Sequence, residues 1–328
     1  MMVLSATLSA TRLPDASLPV IDISGLRAPD PATRRAVASE LRAACLDKGF
    51  FYIVGHGVSE AQRRALLDQA KRFFDLPQAA KDAVMRRASL ADRGYEPMQS
   101  QRLEDGAPPD LKEGFYIGVE LPLDDPRVVA RKYQHGPNLW PVLPGFREVL
   151  SDYFAAMLAL ERLMWRGLAL SLALDEDYFD GFCAEPIAGL RLMHYPAQPA
   201  NPLPNEKGCG AHTDFGGLTL LLQDDNGGLQ LWDAAHGWIH APPLPGTYVV
   251  NIGDLLARWT NDLYRSTRHR VVNLSGRARY SVPFFFSGNP DTIVSCLPGC
   301  RAPGEPAKYP PTNTADHLQE MSRLSYGR

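Results

Sequence analysis

Within GCGAHTDFGGLTLLLQDD, Gly208 to Asp225, His212 and Asp214 are separated by one residue. Residues i and i+2 of an extended strand point to the same side. One imidazole and one carboxylate are thus offered together, just before the apolar run Leu218–Leu222. A second imidazole, His269, follows in YRSTRHRVVN. Two histidines and one carboxylate bind non-heme Fe(II) while leaving coordination positions open. Ten residues after His269 comes Arg279, and Ser281 shares its strand face. A guanidinium fork beside a hydroxyl suits two-point binding of a carboxylate. An unpaired buried arginine is costly, so Arg279 either awaits an anion or is paired with a protein carboxylate. Tyr195, just before Pro196, is either a further hydroxyl for that anion or a strand-edge aromatic.

These residues need strands to hold them, and the second half of the chain supplies the pattern. After Gly189 the apolar period is two. LRLMHY, LTLLLQ, GLQLWD, WIHAP, TYVVNI, HRVVN and YSVPFFF read as strands, several separated by DNGG, AAHG and LPG. Many short strands with Gly/Pro turns predict a sandwich or barrel. A jelly roll is the natural choice, because it can hold a small-molecule site between its sheets. The 57 positions from His212 to His269 leave room for His269 to return on another strand and face the first pair.

The first half reads as mixed α/β. LPVID and FFYIV are short strands, and Asp30–Pro31 caps a helix that ends at Gly49. Ser59 and Gln62 form a capping box for a helix that stops at Pro77. His56, between Gly55 and Gly57, is a turn histidine and not a ligand. Residues 86–145 are irregular apart from RGYEPM and DLKEGFYIG, and suit a lid or a surface connection. From Pro144 a long helix carries Phe146, Leu150, Tyr153, Met157, Leu160, Met164 and Leu168 on one face. The expected division is 1–145, an N-terminal α/β region with a lid segment, and 146–328, the long helix plus catalytic core, together in one compact unit.

Composition narrows the function classes. The chain has 328 residues, 45% hydrophobic and 22% charged, with net charge −3. No basic stripe marks a nucleic-acid partner, no apolar run reaches membrane-span length, and Met1–Ala16 lacks the apolar core of a signal peptide. Five cysteines without a CxxC fit a reducing, cytoplasmic setting. Cys209 lies near His212, but a thiolate would favour other metals.

The chain resembles the isopenicillin N synthase-like branch of the Fe(II)- and 2-oxoglutarate-dependent oxygenases. The matching stretches are LPVID, DKGFFYIVGHGV, DLKEGFYIG, RLMHYP, GAHTDFGGLTLLLQD, GLQLWD, PGTYVVNIGDLLARWTND, YRSTRHRVVN and RYSVPFFF, in family order and over most of the chain. The resemblance implies a mostly β fold with flanking helices, a distorted double-stranded β-helix or jelly roll. It implies His212, Asp214 and His269 as iron ligands, and Arg279 with Ser281, Tyr195 nearby, as the seat of the distal carboxylate of 2-oxoglutarate. Met193 stands where plant members often have an Asn that touches the cosubstrate. The implied reaction couples oxidative decarboxylation of 2-oxoglutarate by Fe(II) and O2 to C–H oxidation of a small organic substrate, with ascorbate a candidate reductant. Two alternatives are a 2-oxoglutarate-independent oxidase and an inactive jelly-roll binding protein. Substrate contacts are expected from residues 86–118, Trp259–Asn261 and Phe284–Phe286. Oligomeric state has no sequence signal.

Overall fold

A computed structural model describes residues 8, 10–11 and 18–326; the reading of Met1–Ala16 falls largely outside them. The strands predicted from alternation form two facing sheets. We label them β1 (Val20–Asp22), β2 (Phe50–Val54), β3 (Gly94–Glu96), β4 (Glu113–Gly118), β5 (Ile187–Tyr195), β6 (Cys209–His212), β7 (Leu218–Gln223), β8 (Leu229–Asp233), β9 (Gly237–His240), β10 (Tyr248–Ile252), β11 (His269–Val271) and β12 (Arg279–Gly288). The larger sheet runs β1-β2-β10-β7-β12-β5-β4-β3, and the smaller β6-β11-β8-β9. The architecture is mostly β with helices packed outside, the distorted jelly roll expected from the sequence. Strands of the N-terminal 145 residues occupy both ends of the larger sheet, and those of the second half fill its middle.

Alternation on the central strands sorts core from site. On β12, Val282, Phe284 and Phe286 enter the main core, while Arg279, Ser281, Pro283 and Phe285 line a cavity between the sheets. On β7, Leu218, Leu220 and Leu222 enter the same core, and Thr219 and Leu221 face the cavity. Both faces are covered, so LTLLLQ reads as a nearly unbroken apolar run. A separate cluster, including Phe50, Tyr52, Leu229, Leu231 and Ile239, closes the space between the sheets at one end.

The helices obey their local signals. Helix α1 (Pro31–Asp47) starts on Asp30, whose carboxylate accepts from Ala32 and Thr33. Past its C-terminus, Gly49 has φ +61°, and a Cβ there would lie 1.9 Å from the Arg265 carbonyl oxygen. Helix α2 (Glu60–Phe74) has the reciprocal Ser59–Gln62 capping box. It ends at Phe74, before Pro77, which instead precedes a short turn of helix. Helix α3 (Phe146–Ser171) is the long amphipathic helix, packed against α1 and α2. Two parts of residues 86–145, RGYEPM and DLKEGFYIG, supply β3 and β4 and extend the larger sheet beside β5. That segment is therefore partly wall. A C-terminal helix, α4 (Thr314–Tyr326), had no sequence signal that we read. Among the described residues no helix is long and apolar enough to cross a membrane.

Helix α3 buries one carboxyl completely. Glu161 is 0% exposed and neither oxygen has a hydrogen-bond partner. Burial holds its acid well above the ordinary glutamate range. A group bound to its proton more tightly in the folded state stabilises fully below its unfolded pKa and loses that contribution as pH rises toward the folded one. Glu161→Gln should therefore gain stability over wild type with rising pH. The difference, read by chemical denaturation at several pH values, should widen in favour of the variant as the pH rises above the ordinary glutamate range. A pH-independent difference would contradict a neutral Glu161.

Candidate metal centre and anion pocket

The strand register brings the two distant histidines together. β6 and β11 are antiparallel, with His212 directly opposite His269, and the ring centroids are 4.3 Å apart. β6 ends at His212, so Asp214 sits in the turn beyond it and not on the strand itself. Its side chain converges all the same. Asp214 Oδ1 lies 3.7 Å from each histidine Nε2. One donor atom from each residue falls within 4.8 Å of the others.

Each donor is oriented from behind. His212 Nδ1 donates to the Gly210 carbonyl (2.8 Å), and His269 Nδ1 to the Thr267 carbonyl (3.1 Å). With a carbonyl as partner, Nδ1 carries the proton, and the Nε2 lone pair faces Asp214. Asp214 Oδ2 accepts from Thr219 Oγ1 (2.6 Å) and Asn251 Nδ2 (2.7 Å), leaving Oδ1 for the centre. Burial raises the Asp214 carboxyl, but the His269 and His212 imidazoles and these two hydrogen bonds outweigh it and hold it below its usual range. Burial lowers His212, and burial reinforced by His212 lowers His269 to about 4. Two neutral imidazoles and an ionised carboxylate, with no thiolate among them, suit Fe(II).

β6 is an edge strand, and its outward N–H groups need partners. Asp110 Oδ1 accepts from Gly210 N (2.9 Å), and Glu104 Oε2 accepts from Ala211 N (3.0 Å). The irregular segment thus fixes the strand that carries His212. Lys112, buried beside it, contacts Asp110 (2.9 Å) and Cys209 Sγ (3.0 Å). Burial raises the Cys209 thiol to about 11, so it stays protonated, and it is absent from the donor cluster.

The anion-binding candidates share the cavity with the triad. Arg279 is 0% exposed. Its Nη2 donates to Gln223 Oε1 (2.9 Å), while Nε and Nη1 have no partner. Of the two sequence readings, pairing with a protein carboxylate fails: a neutral amide takes one nitrogen and two remain. Ser281 follows on the same face. Tyr195 is registered opposite Arg279, and its ring lies 5.1 Å from the guanidinium carbon. Tyr195 is therefore a buried wall of this pocket, not an edge aromatic. Met193, beside Ser281 in register, also lines it.

Other expectations divide. Residues 86–118 contribute Arg86, Arg93, Lys112 and Tyr116 to the cavity. Trp259–Asn261 do not reach it, because the Trp259 ring packs edge-on against Phe179 and Phe182 in the main core. Of Phe284–Phe286 only Phe285 points inward, as strand alternation requires. His56 is a buried turn histidine that bonds Gly246 O and Val58 N. Sequence reasoning passed over Thr219, Asn251 and Gln223. Their signal was available: Thr219 and Asn251 are polar residues inside otherwise apolar strands and are cross-strand partners, and Gln223 ends the apolar run of β7.

Known proteins agree with this geometry. Residues 18–142 match the family described as "non-haem dioxygenase in morphine synthesis N-terminal", and residues 186–288 match the "2OG-Fe(II) oxygenase superfamily". The chain is 44% identical over 318 residues to a "2-oxoglutarate-Fe(II) type oxidoreductase" of Emericella nidulans, covering 94% of this chain and 90% of the relative. It is similar to full-length Neurospora crassa T7H solved with alpha-KG, at TM-score 0.84 and 31% identity, over 96% and 98% of the two chains. JOX2, solved with 2OG, Fe and JA, aligns at TM-score 0.77 and 30% identity, over 97% and 87%. These relatives favour neither the 2-oxoglutarate-independent oxidase nor the inactive binding protein. The chain belongs to the Fe(II)- and 2-oxoglutarate-dependent oxygenases, in their isopenicillin N synthase-like branch.

Proposed function

We propose that His212, Asp214 and His269 hold the Fe(II) of this oxygenase, and that Arg279, with Ser281 and Tyr195, seats the distal carboxylate of 2-oxoglutarate. The observation that carries the reading is Arg279 itself. A fully buried cation with two unpartnered nitrogens lies in the same cavity as a preformed two-histidine, one-carboxylate cluster. An anionic cosubstrate would satisfy those nitrogens and offset the cost of burying them.

When bound, Fe(II) with 2-oxoglutarate and O2 supplies oxidative decarboxylation coupled to C–H oxidation, with succinate and CO2 as co-products. The protein's part is placement. Gly210 and Thr267 carbonyls keep both Nε2 atoms unprotonated, and Thr219 and Asn251 aim one carboxylate oxygen of Asp214. Gln223 and the Tyr195 ring hold the guanidinium of Arg279 in place. The apolar walls Leu221, Leu229 and Phe285 limit water around the substrate. Relatives solved with thymine or JA support a small organic molecule as substrate. Five free thiols, among them buried Cys45 and Cys183, support work in a reducing cytoplasm.

Anaerobic protein loaded with Fe(II) and 2-oxoglutarate should form succinate when O2 is admitted. Arg279→Ala should raise the dissociation constant for 2-oxoglutarate on the order of 100-fold, as loss of a buried charge partner does. Unchanged affinity would remove Arg279 from this role. The support of Asp214 can be read without turnover. In Asn251→Ala, Fe(II) affinity measured by competition with a chromogenic chelator should fall about 10–100-fold, the usual cost of losing an outer hydrogen bond to a metal ligand. Equal affinity would show that Thr219 alone orients the carboxylate.

A further inference from the structure

Asp214 is the one donor of the triad that no strand carries. β6 ends at His212 and β7 begins at Leu218. Strand register fixes the two imidazoles, but the direction of the carboxylate depends on the turn 213–217. Two of its residues, Gly216 and Gly217, give that turn more backbone freedom than most sequences would.

The turn is nonetheless tied down along its length. The Asp214 carbonyl accepts from Asp254 N (2.7 Å), Phe215 from Leu255 N (3.3 Å), Gly216 from Leu255 N (3.1 Å) and Gly217 from Gly253 N (3.0 Å). His317 Nε2 on α4 also donates to the Phe215 carbonyl (3.0 Å). The three donating backbone groups open the short helix Asp254–Trp259, where no carbonyl of the helix itself can take them. Gly253 permits the approach, since a Cβ there would lie 2.2 Å from the Gly216 oxygen and 3.0 Å from the Asp214 oxygen.

Asp254 grips the turn twice. Besides its N–H to Asp214, its Oδ2 accepts from Thr213 Oγ1 (2.9 Å), and Thr213 stands between the two ligands His212 and Asp214. Thr219 and Asn251 hold the Asp214 side chain by its Oδ2. Asp254 instead holds the backbone from which that side chain springs. It lies outside the wall of the triad's cavity and borders a separate groove beside Ser266 and His317. Its route to the metal is therefore the turn.

We propose that Asp254 is a positioning residue for the metal centre. Its carboxylate, through the Thr213 hydroxyl, fixes the turn in the one conformation that sets Asp214 Oδ1 between the two Nε2 atoms. This deepens the functional reading above and rests on it, because the geometry matters only if the triad binds Fe(II).

The test is anaerobic competition for Fe(II) with a chromogenic chelator. Asp254→Ala should bind Fe(II) about 10–100-fold more weakly than wild type, the usual cost of losing support behind a metal ligand. Asp254→Asn keeps an oxygen facing Thr213 and should stay close to wild type. Thr213→Val should reproduce the loss, and decides the matter if Asp254→Ala does not fold. The double variant should lose no more than either single one, because both remove the same bond. With excess Fe(II) and 2-oxoglutarate, the metal-to-ligand absorption band of the weakened variants should be displaced from its wild-type position. A variant that had merely lost stability would show the wild-type band at lower amplitude. Wild-type affinity in both Asp254→Ala and Thr213→Val, additive losses in the double variant, or an undisplaced band overturns the positioning role. A wild-type protein that binds no Fe(II) overturns the functional reading beneath it.

Discussion

The pairing of β6 with β11 is the constraint on which the site depends. It places His212 opposite His269 although 57 positions separate them, and it does so at the last residue of one strand and the first of the other. A shift of one residue would turn an imidazole to the other face. The register is held from several sides. β8 pairs along the far edge of β11, and Asp110 and Glu104 take the free N–H groups of β6. Phe50 packs edge-on against the His269 ring at 5.3 Å, so the N-terminal part also fixes a donor side chain.

A second theme is the placing of polar groups in a dry interior. Asp214, Arg279 and Arg93 are all buried, yet their surroundings differ. Asp214 has one oxygen satisfied by Thr219 and Asn251 and the other turned to two imidazoles. Arg279 keeps two nitrogens, and Arg93 one, without a protein hydrogen-bond partner. Buried groups left in that condition cost stability. Their concentration around one cavity is the pattern of a site built to receive charged molecules rather than of a core packed for stability alone.

Much of this was legible in the sequence. Period-two alternation after Gly189 marked the strands, because each central strand alternates between the helix-covered core and the cavity. His212, Asp214 and His269 converge as their types and the resemblance suggested, and the capping signals at Asp30 and Ser59 act as read. Other features depend on tertiary partners. Asn251 acquires its role only because β10 lies beside β7 and sets it against Thr219. Arg93 comes from a stretch with little periodicity, and its guanidinium fills space that a side chain at Gly118 on β4 would occupy. Trp259 misled because an aromatic near a polar turn looks like a binding loop, whereas its ring completes an aromatic cluster under α3.

The interleaving of the larger sheet bears on how the chain is made. β2, near the N-terminus, lies between β1 and β10, so Ile53 finds Tyr248 only after most of the chain has left the ribosome. Until then one edge of β2 is open, and so is that of β4, whose partner β5 follows the long α3. Contacts this distant in sequence make for slow folding and prolong exposure of unpaired edges. Synthesis at low temperature or with abundant chaperones would favour a high yield of native protein, and the donor set would be among the last features to assemble.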